Sequence, residues 1–161
     1  MIFVTLGTQK FQMNRLLKNI DELIAEGKLN EEVLGQVGES DYVPEHYKVK
    51  KFMNSEEFSA NMQKSDLVIT HSGVGTIMSA VRMGKKVLVC PRMAKYGEHV
   101  DDHQMEIGVA FEKRGYVCLC SDRDSLLDKI NEAQNMKVFA YSGSQGKIKE
   151  LIRDFISENF N

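Results

Sequence analysis

Short, mostly apolar segments that alternate with helix-like segments constrain this fold more than any other feature. The clearest are residues 2–6, 67–70 and 87–90, each four or five residues long. Between them, apolar residues recur at spacings of three and four, which predicts amphipathic helices. Strands that are apolar on both faces are typical of a parallel sheet covered by helices on both sides. The sequence therefore predicts an α/β fold with a doubly wound, Rossmann-like parallel sheet.

The same patterns place the remaining elements. The predicted strands cover residues 2–6, 33–37, 49–53, 67–70, 87–90 and 116–119. The predicted helices cover residues 13–24, 55–62, 75–83 and 101–114. A further helix is predicted to begin at Ser121 or Asp122, because both residues are good N-caps. Residues 1–161 are expected to form one domain, since 161 residues suit a single core and no linker or repeat interrupts them. An amphipathic helix over about 147–160 ends the chain, and its apolar stripe is expected to pack on the sheet or, alternatively, to dock on a partner.

Charge and cysteine content exclude several classes of protein. The 21 basic and 23 acidic residues give a formal net charge of -2 without a basic cluster, so no nucleic-acid partner is expected. No apolar run approaches the roughly 20 residues of a membrane-spanning helix. No signal peptide opens the sequence, and we expect a cytoplasmic protein. Cys90, Cys118 and Cys120 are expected to be buried free thiols, with a metal pair at Cys118 and Cys120 as the alternative.

One loop has residue types that suit a bound anion. Strand 67–70 leads directly into His71, Ser72, Gly73, Val74, Gly75 and Thr76, and then into a helix. Glycines allow close backbone approach, and the free N–H groups of a first helical turn attract a phosphate. Ser72 and Thr76 could add hydroxyl donors, although the glycines could also serve only a tight turn. The nicotinamide and Walker fingerprints are absent, because Met78 and Ser79 stand where each pattern requires glycine.

A second polar cluster follows the next strand. Its members are Arg92, Glu98, His99, Asp102, His103 and Gln104. Neighbouring parallel strands end about 5 Å apart and ligands bind beyond those ends, so both clusters are expected to face one ligand. Arg92 suits a phosphate, and the Asp, His and Gln side chains suit sugar hydroxyls. A metal held by His99 and His103, or a solvated acidic helix start, are the alternatives.

Together these segments resemble a known family, the C-terminal half of the family 28 glycosyltransferases, which have the two-domain glycosyltransferase B fold. The resemblance rests on residues 3–8, the loop 71–76, residues 84–92, the pair 98–99 and residues 102–104, and it covers nearly the whole chain. Within the family the chain is similar to single-domain subunits of split bacterial capsule or exopolysaccharide transferases. It is also similar to the catalytic subunit of the two-part dolichol-linked N-acetylglucosamine transferase.

The resemblance implies a donor site in three parts. The diphosphate would lie against Gly7, Thr8, His71, Ser72, Gly73, Val74, Gly75, Thr76 and Arg92. The nucleoside would meet Phe52 and Met53, with Ser79 at the position where many members carry a ribose-binding glutamate. The sugar would meet Glu98, His99, Asp102, His103 and Gln104.

The resemblance also implies a reaction. A hexose such as N-acetylglucosamine or galactose would pass from a UDP-sugar to a lipid-linked saccharide in surface polysaccharide synthesis, with inversion and without a metal or cofactor. Family relatives of this size work with a membrane-associated half that binds the acceptor, which would hold this chain at the inner face of the membrane. No general base is assigned. A noncatalytic nucleotide-sugar-binding regulatory subunit is the main alternative, followed by a nucleotide-sugar epimerase.

Overall fold

The structure, a computed structural model, describes residues 1–138, 149, 150, 153, 154 and 157. Its sheet has six strands: β1 (Ile2–Thr5), β2 (Val33–Gln36), β3 (Lys48–Lys50), β4 (Leu67–Thr70), β5 (Lys86–Val89) and β6 (Cys118–Leu119). They lie in the order β3-β2-β1-β4-β5-β6, and every neighbouring pair is parallel. The predicted doubly wound parallel sheet is confirmed. The strand order reverses direction between β1 and β4, and ligands bind at such switch points.

Helices cover both faces of this sheet. They are α1 (Asn14–Ala25), α2 (Ser55–Lys64), α3 (Val74–Arg82), α4 (His103–Lys113) and α5 (Leu126–Asn135), and a short 3-10 turn forms at Ala94–Tyr96. One core joins α1 and α5 to one side of the strands, and the other joins α2, α3 and α4 to the opposite side. Ile2 and Val4 point into the first core, while Phe3 points into the second. Every residue of β1 and β4 is buried, which explains why these strands show no polar alternation.

The third strand is shorter than predicted and lies earlier in the sequence. Its residues Lys48–Lys50 alternate between exposed and half-buried, as expected at the edge of a sheet. Beyond Lys50 the chain turns toward the sheet end, where the Met53 N–H donates to the Gln36 Oε1 over 2.8 Å. The third strand exists, but its predicted range 49–53 was wrong, because Phe52 and Met53 lie beyond Lys50, the last paired residue.

Helix α2 begins at Ser55, as predicted, whereas helix α5 begins later than predicted. Helix α2 is capped by Asn54, whose Oδ1 accepts from the Glu57 N–H at 2.8 Å. Helix α5 begins after Ser125, whose hydroxyl accepts from the Asp128 N–H at 3.3 Å. Neither predicted cap, Ser121 or Asp122, is the N-cap, and the Ser121 backbone N–H instead donates to the Asp124 carboxylate in a preceding turn.

The predicted C-terminal helix over 147–160 has its apolar stripe outside the described residues. Among the helices that the structure describes, none is long and apolar enough to cross a membrane. Cys90, Cys118 and Cys120 are buried free cysteines. No group of three or more His, Cys, Asp and Glu side chains within the described ranges is arranged to hold a metal ion.

Candidate functional site

A cleft opens where β1, β2 and β4 end, at the switch point of the sheet. Its volume is about 320 Å³, and it is lined by Thr5, Gly7, Thr8, Gln36, Met53, Ser55, Phe58, Ser59 and Thr76. Four of these, Gly7, Thr8, Met53 and Thr76, are predicted donor-site residues. The structure therefore brings part of the predicted diphosphate and nucleoside sets to one opening.

The first turn of α3 faces open space. Gly73 is the N-cap in an extended conformation and has no side chain to accept from the first-turn N–H groups. A Cβ added at Gly75 would meet nothing within 4 Å. Val74 and Thr76 are only partly buried. An anion could therefore approach the positive end of this helix directly.

His71 lies beneath that turn, between two glycines. A Cβ at Gly7 would come within 2.6 Å of the His71 Nε2, and a Cβ at Gly73 would come within 2.6 Å of its Cε1. Gly7 also has a φ of 72°, which glycine adopts without strain. Burial lowers the pKa of His71 to about 4, and the positive charge of Arg92 acts in the same direction. The ring is therefore neutral at physiological pH.

Gln104 joins the loop after β4 to the loop after β5. Its Oε1 accepts from the backbone N–H of Ser72 at 3.2 Å and of Arg92 at 3.1 Å. Its Nε2 lies 3.2 Å from the His71 Nδ1. The side chain is 6% exposed. Gln104, predicted to bind the sugar, thus lies below the loops with both amide atoms engaged.

Arg92 and Glu98 also lie inside the protein, unlike the direct ligands expected from sequence. The Arg92 Nη1 donates to the carbonyls of Phe11 at 2.9 Å and Gln12 at 3.0 Å, and its Nη2 donates to the Leu6 carbonyl. Arg92 is 1% exposed and Glu98 is 0% exposed. These side chains hold the loop after β1 and the loop after β5 in place. Arg92 can act on a bound anion only through its charge.

The Ser72 hydroxyl, which was predicted as a possible donor to a bound anion, is also turned inward. Ser72 is buried, and its Oγ has no hydrogen-bond partner among the described residues. A Cβ at Gly108 in α4 would lie 3.3 Å from that Oγ, so the hydroxyl points toward the helix. Ser72 contributes to the loop through its backbone.

Among the predicted sugar-side residues, Asp102 and His103 lie at the start of α4, and His99 lies in the loop before it. Asp102 and His103 are exposed. The Asp102 Oδ1 accepts from the Ala94 N–H at 2.9 Å, and the His99 ring packs 5.0 Å from the Phe11 ring. A hydrogen bond with Glu106, followed by the charge of Asp101, raises the pKa of His103. Asp102 and His103 thus present exposed side chains at the start of α4, while His99 packs on Phe11.

The predicted nucleoside residues divide between the cleft and a helix. Met53 lines the cleft, and Phe52 is 45% exposed beside Gly38, whose added Cβ would lie 4.0 Å from the Phe52 Cε1. The Ser79 hydroxyl donates to the Gly75 carbonyl at 2.9 Å within α3. The Ser79 hydroxyl is therefore already hydrogen-bonded within its own helix and does not replace the ribose-binding glutamate of other family members.

Several residues in or beside the cleft were not among the predicted site residues. Thr5 and Thr70 end β1 and β4, are paired in register, and have buried Oγ1 atoms without a hydrogen-bond partner among the described residues. Gln36 ends β2 and is 3% exposed. A polar residue at the end of an otherwise apolar strand was the available signal. Ser55, Phe58 and Ser59 reach the cleft from α2, which no local pattern indicated.

The sheet order and the cleft define a Rossmann-like domain that can receive an anionic ligand at a helix start. The sequence model of the glycosyltransferase family 28 C-terminal domain matches residues 1–158, and the chain belongs to this family. The resemblance inferred from the motifs is thereby confirmed.

Curated relatives are similar over part of their length. The chain is 32% identical over 109 residues to the UDP-N-acetylglucosamine transferase subunit ALG13 of Saccharomyces cerevisiae, which covers 63% of this chain and 52% of the yeast protein. It is 28% identical over 129 residues to the UDP-N-acetylglucosamine--N-acetylmuramyl-(pentapeptide) pyrophosphoryl-undecaprenol N-acetylglucosamine transferase of Prochlorococcus marinus, covering 76% of this chain and 34% of that protein. The chain thus spans about half the length of the yeast relative.

Solved structures support the fold. The NMR solution structure of ALG13 matches with a TM-score of 0.61 and 22% identity over 94% of both chains. The glycotransferase of kitacinnamycin matches with a TM-score of 0.56 and 15% identity, over 98% of this chain and 39% of that chain. The predicted C-terminal half of the glycosyltransferase B fold is confirmed.

Proposed function

We propose that this chain is the donor-binding half of an inverting glycosyltransferase that uses a UDP-sugar and works with a separate acceptor-binding half. The open first turn of α3 at the switch point is the observation that carries this proposal. A nucleoside diphosphate there would have unobstructed access to backbone N–H groups near Gly75. Gly7 and Thr8 line the same opening from the other side.

In this proposal each part of the donor has its own place. The diphosphate lies across the start of α3, with the Thr76 hydroxyl beside it. The base lies against Met53 and the exposed ring of Phe52. The sugar extends toward Asp102 and His103, which are exposed at the start of α4.

The reaction that follows is displacement of the diphosphate. The bond between the anomeric carbon and the phosphate oxygen breaks as the acceptor oxygen bonds to the anomeric carbon, and the leaving diphosphate gains charge. The acceptor hydroxyl gives its proton to a base, which we place in the acceptor-binding half. The helix start and the Thr76 hydroxyl stabilise this charge, and Arg92 adds a buried positive charge. These groups are sufficient to propose a reaction without a metal.

The names of the relatives favour N-acetylglucosamine as the transferred sugar. The yeast relative is named a UDP-N-acetylglucosamine transferase subunit, and the Prochlorococcus relative is named for transfer to a pyrophosphoryl-undecaprenol compound. We therefore propose a lipid-linked saccharide as acceptor, bound by a membrane-associated partner that holds this chain at the inner membrane face. Assignment to capsule or other surface polysaccharide remains a prediction from the resemblance.

A noncatalytic regulatory subunit is the second candidate. It is favoured by the burial of Glu98, a carboxylate in the loop after β5, in an ion pair with Arg15. That carboxylate cannot activate an acceptor hydroxyl while it is paired. A regulatory subunit would bind the same nucleotide and support no transfer in any pairing.

Titration calorimetry with UDP tests the site. Gly75→Asp should abolish measurable binding, because a carboxylate would occupy the space beside the helix start, whereas Asp in a first turn does not destabilise a helix. Gln63→Glu, on the exposed end of α2, adds the same charge outside the cleft and should bind as wild type does. Equal affinities for all three proteins would place the diphosphate elsewhere.

Transfer of radiolabelled sugar from UDP-N-acetylglucosamine, assayed with and without a candidate membrane-associated half, tests the activity. Transfer in the pair, and its loss with Gly75→Asp, is the expected result. Nucleotide binding without transfer in any pairing would favour the regulatory subunit.

A further inference from the structure

The orientation of the Gln104 amide is fixed by its neighbours. The backbone N–H groups of Ser72 and Arg92 both donate to one amide atom of Gln104, over 3.2 and 3.1 Å. A backbone N–H can only donate, so the shared atom must be the carbonyl oxygen. The NH2 group of Gln104 is therefore the atom that faces the His71 ring.

That orientation determines where the His71 ring carries its proton. The Gln104 Nε2 lies 3.2 Å from the His71 Nδ1. An amide NH2 has no lone pair to accept a hydrogen bond, so Nδ1 must be the acceptor and must be unprotonated. A neutral imidazole then carries its proton on Nε2. Two backbone N–H groups thus set the tautomer of His71 through one amide.

The His71 Nε2 atom lies close to two glycines of the candidate site, Gly7 and Gly73. Nε2 lies against Gly7, where an added Cβ would be 2.6 Å away, and Gly7 itself lines the cleft. Within the described part of the chain, no residue accepts a hydrogen bond from Nε2. The donor is therefore left for an acceptor from outside the protein.

The surroundings keep the ring neutral. His71 is 7% exposed, and burial lowers its pKa to about 4. The charged and titratable groups that act on it are Arg92 and His99, and both lower the pKa further, while the Gln104 hydrogen bond opposes them. No carboxylate among the described residues acts on the ring.

We propose that Gln104 is a positioning residue that holds His71 as its Nε2–H tautomer, so that the ring donates a hydrogen bond to a phosphate oxygen of the UDP-sugar across the physiological pH range. This inference rests on the proposed function for the identity of the acceptor. The tautomer itself rests only on the protein's own hydrogen bonds. Gln104 acts through His71 and does not contact the sugar.

NMR of the ligand-free protein reads the tautomer directly. Long-range 15N–1H spectra of the His71 ring at pH 7 should show a protonated Nε2 and an unprotonated Nδ1, with no change between pH 6 and pH 8. A ring protonated on Nδ1, or charged at pH 7, would overturn the proposal. Because these spectra use the wild-type protein without nucleotide, they decide the tautomer independently of any donor binding.

Gln104→Glu is the informative variant, since it keeps the shape and replaces the NH2 group by an acceptor. Its carboxylate should accept a hydrogen bond from a protonated Nδ1 and, through its negative charge, raise the pKa of His71 toward neutrality. UDP-N-acetylglucosamine should then bind about tenfold more weakly at pH 8 than at pH 6, whereas wild-type affinity should change less than about twofold. The control Gln63→Glu adds the same charge on α2 and should behave as wild type.

The outcomes separate the two proposals. A wild-type pH profile and tautomer in folded Gln104→Glu would overturn the positioning role. If that variant does not fold, the wild-type spectra still determine the His71 tautomer and can overturn the proposal. If wild type shows the Nε2–H tautomer but binds no UDP-sugar, the proposed function fails and the acceptor assignment fails with it.

Discussion

Glu98 and Arg15 form a two-point ion pair between the loop after β5 and helix α1. The Arg15 Nε donates to the Glu98 Oε1 at 2.9 Å, and its Nη2 donates to Oε2 at 3.1 Å. The Glu98 Oε2 also accepts from the Met93 N–H at 2.9 Å. Glu98 is 0% exposed, while the Arg15 side chain is 28% exposed. The carboxylate is therefore fully desolvated and depends on these partners.

Removal of Arg15 should destabilise the protein strongly. Arg15→Met leaves a buried, unpaired carboxylate and should lower the free energy of unfolding by about 3 kcal/mol. The double variant with Glu98→Gln should recover part of that loss, because no charge remains to be buried. Lys18→Met removes the exposed 3.9 Å pair with Glu22 and should cost under about 0.5 kcal/mol. Urea denaturation of the four proteins measures this, and similar losses for Arg15→Met and Lys18→Met would contradict the argument.

The central strands could be predicted because burial on both faces requires an uninterrupted apolar segment, which is visible in the local sequence. β1 and β4 are buried at every position, so their apolar runs stand out in the sequence. The loop 71–76 could be predicted for a similar reason, since only small residues allow the approach of His71 to Gly7 and Gly73. The edge strand β3 has no such segment, because its alternating Lys residues face solvent.

The roles of Arg92 and Glu98 could not be predicted in the same way. Charged side chains are almost never buried unless paired, so a sequence reading places them at the surface. Their partners lie far away in sequence: Arg92 contacts the Phe11 carbonyl 81 residues away, and Glu98 contacts Arg15 83 residues away. Only the folded arrangement shows that these residues support the loops from beneath.

Substitutions of Gly7 and Gly75 should have different effects on protein stability and on UDP binding. Gly7→Ala should destabilise the protein, because Gly7 has a φ of 72° and an added Cβ would lie 2.6 Å from the His71 ring. Gly75→Ala should stabilise it by up to about 1 kcal/mol, since the position is helical and unobstructed. Gly75→Ala should nevertheless weaken UDP binding, because a methyl group reduces backbone approach. Thermal denaturation and calorimetry on the same samples test this, and tighter binding by Gly75→Ala would argue against contact there.

The two hydroxyls of the loop should behave differently. Ser72→Ala should leave UDP affinity unchanged, because the Ser72 Oγ is buried and has no partner among the described residues. Thr76→Val should weaken UDP binding by about 1 kcal/mol, the usual value of one hydrogen bond. Val keeps the shape of Thr76, so the protein should remain folded. Calorimetry at one pH compares the two variants, and an equal loss from both would mean that the loop rearranges to expose Ser72.

Acid stability should depend on His71 with a defined sign. The pKa of His71 is about 4 in the folded protein, below its ordinary value of 6.5. As the pH falls from 6.5 to 4, the unfolded chain binds a proton that the folded protein excludes, so stability is lost in that window. The loss should reach on the order of 3 kcal/mol by pH 4.

Comparison with His71→Asn isolates this contribution, because the variant lacks the titrating ring. The difference in unfolding free energy between wild type and His71→Asn, measured in urea from pH 7.5 to pH 4, should move against wild type as the pH falls. His103→Asn is the control, and its effect on the pH dependence of stability should have the opposite sign. Glu106 raises the pKa of His103, so the protonated His103 ring stabilises the folded protein at low pH. A difference for His71→Asn that stays constant over this range would mean that the ring protonates freely in the folded protein, and the neutral donor beneath α3 would then be wrong.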